Sequence, residues 1–149
     1  MYIYLTRHGE TLWNAEGRTQ GIQNISLSER GVRQAEALAD RLSKENFSAL
    51  FSSNLERAYR TAAIIGDKTG RLPEKWDELR EINYGDWEGL TLGQIEERYP
   101  GQLALRNKDF CFAPEGGECI LAVRNRVRRF LDMLDGRDYS RDSGVLVAT

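Results

Sequence analysis

Apolar positions recur along the chain in two alternating rhythms. Short, nearly unbroken apolar or aromatic runs stand at 2–5 (YIYL), 49–53 (ALFSS) and 144–149 (GVLVAT). Runs of this length, rich in aromatic and β-branched side chains, predict strands. GVLVAT, apolar almost throughout, predicts a strand buried on both faces in the middle of a parallel sheet. Between these runs apolar residues return every three or four positions. Residues 27–46 set Val32, Ala35, Leu38, Ala39 and Leu42 on one helical face, with Ser28 as N-cap and Glu29 in the first turn. Residues 54–70 predict a second helix, ended near Gly70. A third opens at the capping-box spacing Thr91-x-x-Gln94 and stops at Pro100. A fourth, 120–136, carries Ile120, Val123, Val127, Phe130, Leu131 and Leu134 at helical spacing. WDELREI at 76–82 predicts a further extended segment. The β/α alternation predicts an α/β layered fold. No repeat, low-complexity run or linker divides the chain, so residues 1–149 are expected to form one domain.

Composition narrows the partners. Twenty-one Lys and Arg against 23 Asp and Glu leave a formal net charge of -2, which argues against a broad nucleic-acid surface. RNRVRRF at 124–130 is basic, but its apolar spacing makes it an amphipathic helix with a solvated side. No stretch has the length and apolarity of a membrane span, and MYIYLTRHG lacks a signal-length apolar core. A cytoplasmic protein with Cys111 and Cys119 as free reduced thiols is the expectation.

The chemistry gathers in LTRHGET at 5–11, which holds His8, the only histidine of the chain, beside Arg7. In parallel α/β sheets ligands bind where the carboxyl ends of the strands meet the following loops. Arg7 and His8 fall just past the first strand. Ser52, Ser53 and Arg57 fall just past the second, with Arg57 in the opening turn of its helix. Two arginines converging from adjacent strands make a local anion pocket suited to a small phosphorylated ligand. A neighbouring cation disfavours the charged imidazole, so His8 is expected to be neutral and nucleophilic at phosphorus. The arginines would carry the charge of the phosphoryl oxygens. Glu81, near the end of the third extended segment, is the candidate proton donor to the leaving group.

These residues also carry a resemblance. LTRHGET, Asn14, QG at 20–21, LSERGVRQA at 27–35, SSNLERAYRTA at 52–62, LREINYGDWEG at 79–89 and PEGGEC at 114–119 stand in the order found in the histidine phosphatase superfamily, the phosphoglycerate mutase-like enzymes. The resemblance implies a three-layer sandwich with a mostly parallel central sheet and helices on both faces. It implies His8 as the phosphorylated nucleophile, Arg7 and Arg57 as phosphate ligands and Glu81 as the proton donor. Asn14 would bind phosphate, Gln20 and Gly21 would border the substrate, and no metal or cofactor would be needed. LREINYGDWEG and the short route from Ala62 to Trp76 resemble the small phosphatases, such as α-ribazole phosphatase, more than the mutases. A cofactor-dependent phosphoglycerate mutase and a catalytically impaired phosphate-binding relative are the alternatives. The family pattern places a second catalytic histidine, then a further strand and helix, after the strand matching GVLVAT. The sequence stops at Thr149, one residue before that histidine, so the domain is expected to be C-terminally incomplete. An exposed edge beside GVLVAT would then favour a homodimer.

Overall fold

The apolar runs form strands. The computed structural model describes residues 1–139 and 143–149, with β1 at Tyr2–Thr6, β2 at Phe47–Ser53, β3 at Glu74–Trp76 and β4 at Gly144–Ala148. All pair in parallel, in the order β1-β4-β2-β3. The expected central strand is therefore β4, and all five of its residues are buried. This order corrects one expectation: β1 and β2 are not neighbours. Parallel strands are joined by long crossovers, and the crossover through α1 (Leu12–Ala15) and α2 (Glu29–Leu42) skips one position, which β4 fills.

Successive side chains of β2 and β4 point to opposite faces. On one face Phe47, Leu50, Leu146 and Ala148 pack against Ala39 and Leu42 of α2 and Ala62 and Ile65 of α3 (Glu56–Thr69). On the other, Phe51, Val145 and Val147 pack against Phe130 and Leu134 of α6 (Ile120–Asp135). This is the expected three-layer arrangement. Each large side chain so buried contributes roughly 1.5–3 kcal/mol.

Local chemistry sets the element ends. The Gly31 N–H donates to Ser28 Oγ at 3.0 Å, so α2 begins one residue after the cap. Gly70 closes α3 with φ +67°, a backbone that favours glycine. Thr91 and Gln94 form the predicted reciprocal cap of α4 (Leu92–Arg98), with Gln94 N donating to Thr91 Oγ1 at 3.3 Å and Thr91 N to Gln94 Oε1 at 3.0 Å.

Four expectations change. The extended segment at 76–82 is a three-residue strand that ends at Trp76. Trp76 packs edge-on to Phe51 and Phe130, and the chain then coils into a 3-10 turn over Asp77–Leu79. Ser52 and Ser53 lie within β2 rather than past it. The basic stretch is only partly solvated, because Arg126 is buried while Ile120, Val123, Val127 and Leu131 border a groove. The open apolar edge falls on β1, not β4. Ile3 and Leu5 share the face of Val145 and Val147, yet are 50% and 74% exposed. The short helices α1 and α5 (Gln102–Lys108) were not legible as apolar periodicity.

Candidate active site

The carboxyl ends of β1, β4 and β2 open on one end of the sheet. His8 N donates to Thr149 O at 2.8 Å, which extends the β1–β4 ladder past the strand. Gly9 N donates to Thr61 Oγ1 at 3.0 Å, and the Thr61 hydroxyl donates to Arg57 O at 2.8 Å. The turn after β1 is thereby tied to the first turns of α3. Gly9 and Gly31 permit a close approach to α2, since a Cβ on Gly9 would collide with the Gly31 carbonyl.

His8 Nδ1 lies 2.6 Å from Gly9 O. A carbonyl accepts only, so the ring proton sits on Nδ1 and Nε2 keeps its lone pair. Burial pushes the His8 pKa down from its ordinary 6.5 to about 4. The Gly9 carbonyl opposes that shift, while Arg57 and then Arg7 add to it. Neighbouring cations thus act in the expected direction, but desolvation leads.

Arg57 is 1% exposed. Its Nη1 and Nη2 donate to Gln23 O and Gly21 O, both at 2.7 Å, while the buried Nε has no partner among the described residues. An unpaired buried N–H costs on the order of 1–3 kcal/mol, and an anionic oxygen would satisfy it. The 20–23 loop is fixed from the other side by Glu88, whose carboxylate accepts from Ile22 N, Gln23 Nε2 and Tyr84 N at 2.9, 2.8 and 3.1 Å.

Thr11, fully buried, organises the amides. Its N–H donates to Asn14 Oδ1 at 3.1 Å, and its hydroxyl donates to Gln20 Oε1 at 2.7 Å. With both carbonyl oxygens engaged, the amide NH2 groups are the donors left for a ligand. Thr11 was missed in the sequence, although Thr11-x-x-Asn14 is a cap-like spacing. Glu81 follows the 3-10 turn rather than a strand, and its Oε1 accepts from Ile82 N at 2.9 Å. Its segment is clamped by Glu118, which accepts from Asn83 N at 3.2 Å, Arg80 at 3.3 Å and Arg126 at 3.0 Å.

Arg7, His8, Asn14, Gln20, Gly21, Arg57 and Glu81 all line one cavity of about 230 Å³. Its far side is built from Arg18, Tyr84, Trp87, Leu92, Ile95 and Arg106, among others. Among the described residues no group of three or more His, Cys, Asp or Glu is placed to hold a metal ion. A neutral imidazole, two guanidinium groups, amide donors and a carboxylate around one space suit nucleophilic displacement at a phosphoryl group.

Residues 3–149 match the family model described as histidine phosphatase superfamily (branch 1). The chain belongs to the histidine phosphatase superfamily. Curated members that it resembles include phosphoserine phosphatase 1 of Hydrogenobacter thermophilus, 35% identical over 144 residues that cover 93% of this chain and 66% of that protein. Glucosyl-3-phosphoglycerate phosphatase of Mycobacterium tuberculosis is 40% identical over 126 residues, covering 85% of this chain and 56% of that protein. Among solved structures, a putative α-ribazole-5'-P phosphatase from Escherichia coli superposes with a TM-score of 0.88 at 30% identity, covering all of this chain and 73% of the other. The chain thus spans less than two thirds of the length of these curated relatives.

Proposed function

We propose that this chain carries the phosphoryl-transfer site of a phosphomonoesterase acting on a small phosphorylated metabolite. The observation that carries the reading is the buried Arg57, with an unpaired Nε, in one cavity with a neutral His8. The names of the relatives, phosphatases of phosphoserine, glucosyl-3-phosphoglycerate and α-ribazole 5'-phosphate, support it.

In this reading His8 Nε2 attacks phosphorus, a P–N bond forms and the ester P–O bond breaks. Glu81 passes a proton to the departing alkoxide. A water molecule then attacks phospho-His8 and gives its proton to the Glu81 carboxylate. The P–N bond breaks, and inorganic phosphate leaves with the site restored. Arg7 and Arg57 hold the non-bridging oxygens throughout, joined by Asn14, while Gln20 and Gly21 border the substrate. The same reading takes residues 1–149 as one domain in a cytoplasmic protein, in keeping with free Cys111 and Cys119.

Intact mass after brief incubation with a small phosphoryl donor tests the proposal. An acid-labile adduct of about 80 Da, absent in His8→Ala, is expected for a phosphohistidine. No adduct on the unaltered chain, with phosphate binding retained and lost in Arg57→Ala, would replace it with a phosphate-binding role.

A further inference from the structure

We propose that Glu118, held by the buried Arg126, is the positioning residue for the proton donor and aims Glu81 at the departing oxygen. The PEGGEC stretch at 114–119 thereby serves the reaction without touching the substrate. This inference rests on the phosphomonoesterase reading and extends it to what fixes the acid in place.

Glu81 stands on irregular backbone, since residues 80–84 belong to no helix or strand. Its carboxylate accepts from its own neighbour, Ile82 N, which orients the side chain against the backbone but does not fix that backbone in the cavity. The anchoring comes from far along the chain. Glu118 Oε2 accepts from Asn83 N at 3.2 Å, and Glu118 N donates to Asn83 O at 2.8 Å, so one residue grips Asn83 at both its N–H and its carbonyl. Glu118 Oε1 accepts from Arg80 Nη2 at 3.3 Å. Glu81 is therefore bracketed, because the residue before it and the second residue after it are bonded to one carboxylate.

That carboxylate is itself tied to the fold. Arg126 Nε and Nη2 donate to Glu118 Oε1 and Oε2 at 3.0 and 3.3 Å, the paired bonds of a guanidinium fork. Arg126 Nη1 donates to Glu78 O at 2.7 Å and holds the other flank of the segment. Arg126 is 4% exposed and lies on α6, whose Phe130 and Leu134 pack on the sheet. Burial alone would push the Glu118 pKa up, but Arg126, the Asn83 N–H and Arg80 outweigh it and hold the carboxyl below its ordinary range. The clamp is thus charged at neutral pH. Such rigidity matters at a reacting group, where a misplacement of about 1 Å costs about 100-fold. A general acid contributes about 10²–10⁴, so a loose Glu81 would forfeit much of its effect.

Hydrolysis of glycerol 3-phosphate and of 4-nitrophenyl phosphate, each measured as kcat/KM, tests the assignment. The alkyl ester releases an alkoxide that needs a proton, and the aryl ester does not. Glu118→Gln keeps the size of the side chain and removes its charge, and it should lower the alkyl-to-aryl ratio about 10- to 100-fold. Arg80→Gln loosens one flank while Arg126 stays paired, and it should lower the ratio by about 3- to 10-fold. This second variant decides the matter if circular dichroism shows that Glu118→Gln leaves Arg126 too poorly compensated to fold. With Glu81→Gln already in place, neither substitution should change the ratio by more than about twofold, because nothing remains to be positioned. A ratio that both substitutions leave intact, or one that falls by the same factor with Glu81 already replaced, would overturn the inference while turnover by the unaltered chain upholds the phosphomonoesterase reading. If the unaltered chain hydrolyses neither ester, that reading falls and the inference falls with it.

Discussion

The two ends of the cavity are built in different ways. At the sheet end, Arg57 is sealed from solvent and tied to two backbone carbonyls, and the His8 turn is bonded to Thr149 and Thr61. At the far end, Tyr84 and Arg106 ride on a 3-10 turn at Gly85–Trp87 and on α5, a helix with no buried residue. The first end owes its geometry to the parallel sheet and to side chains that cannot move without unpairing buried groups. The second owes it to a few exposed turns pinned by Glu88, Glu118 and the aromatic stack. Reacting groups gain most from fixed donors, because the field they supply needs no reorganisation during the reaction. Substrate-selecting groups tolerate irregular, more easily varied backbone.

The largest effect is expected where the sheet end is broken. Arg57→Ala should abolish phosphate binding and cut any hydrolytic rate by about 10²–10³, the usual loss for one preorganised donor. It should also lower stability by about 1–3 kcal/mol for each carbonyl left unpaired at Gly21 and Gln23. Arg7→Ala provides the contrast. Arg7 is exposed and has no side-chain hydrogen bond or ion pair among the described residues, so its loss should weaken phosphate binding at almost no cost in stability. Urea midpoints beside phosphate titrations separate the two. Equal destabilisation by both substitutions would show that burial of Arg57 is not what fixes this end.

A smaller, more selective effect is expected at Glu81, which stands between the two ends. An aryl phosphate has a leaving group that departs without a proton, whereas an alkyl phosphate needs one. Glu81→Gln should therefore slow alkyl phosphates by about 10²–10⁴ and aryl phosphates by far less, measured as kcat/KM. Equal losses on both would remove Glu81 from the proton path and leave it as a wall of the cavity.

The same contrast explains what could be read from the chain. β1, β4 and α3 carry strong apolar runs, so the points where Arg7, His8 and Arg57 leave them were legible. The motif order then supplied Asn14, Gln20, Gly21 and Glu81, and all line one cavity. The position of β4 between β1 and β2 was not legible, because strand order depends on which crossovers skip a position rather than on local pattern. Thr61 was missed because its role lies in a contact with Gly9, far along the chain, and Thr11 because its role lies in side-chain bonds to Asn14 and Gln20 that apolar periodicity does not mark. Arg106 was missed for a related reason. Its helix has seven residues and no buried face, so nothing in its periodicity marks it, and its place in the cavity wall comes with the Tyr84 ring beneath it.

The smallest expected effect is also the one that ties proton chemistry to the sheet end. His8 has a pKa of about 4 in the folded chain against an ordinary 6.5. Between these values the unfolded chain takes up a proton that the folded chain refuses, so stability falls as pH is lowered from 6.5 to 4 and the His8 share is complete below that range. His8→Gln keeps the polarity and removes the titration. The difference in stability between the unaltered chain and this variant should therefore shift by about 1–2 kcal/mol between pH 7 and pH 4, a figure discounted for the partial exposure of the ring. Taking the difference between the two chains cancels the carboxylates that titrate in both. Saturating phosphate should shrink the shift, because an anion beside the imidazole favours its charged form and draws the folded pKa back toward 6.5. A shift unaffected by phosphate would mean that the anion does not sit against His8, and the sheet end would have to be redrawn around Arg57 alone.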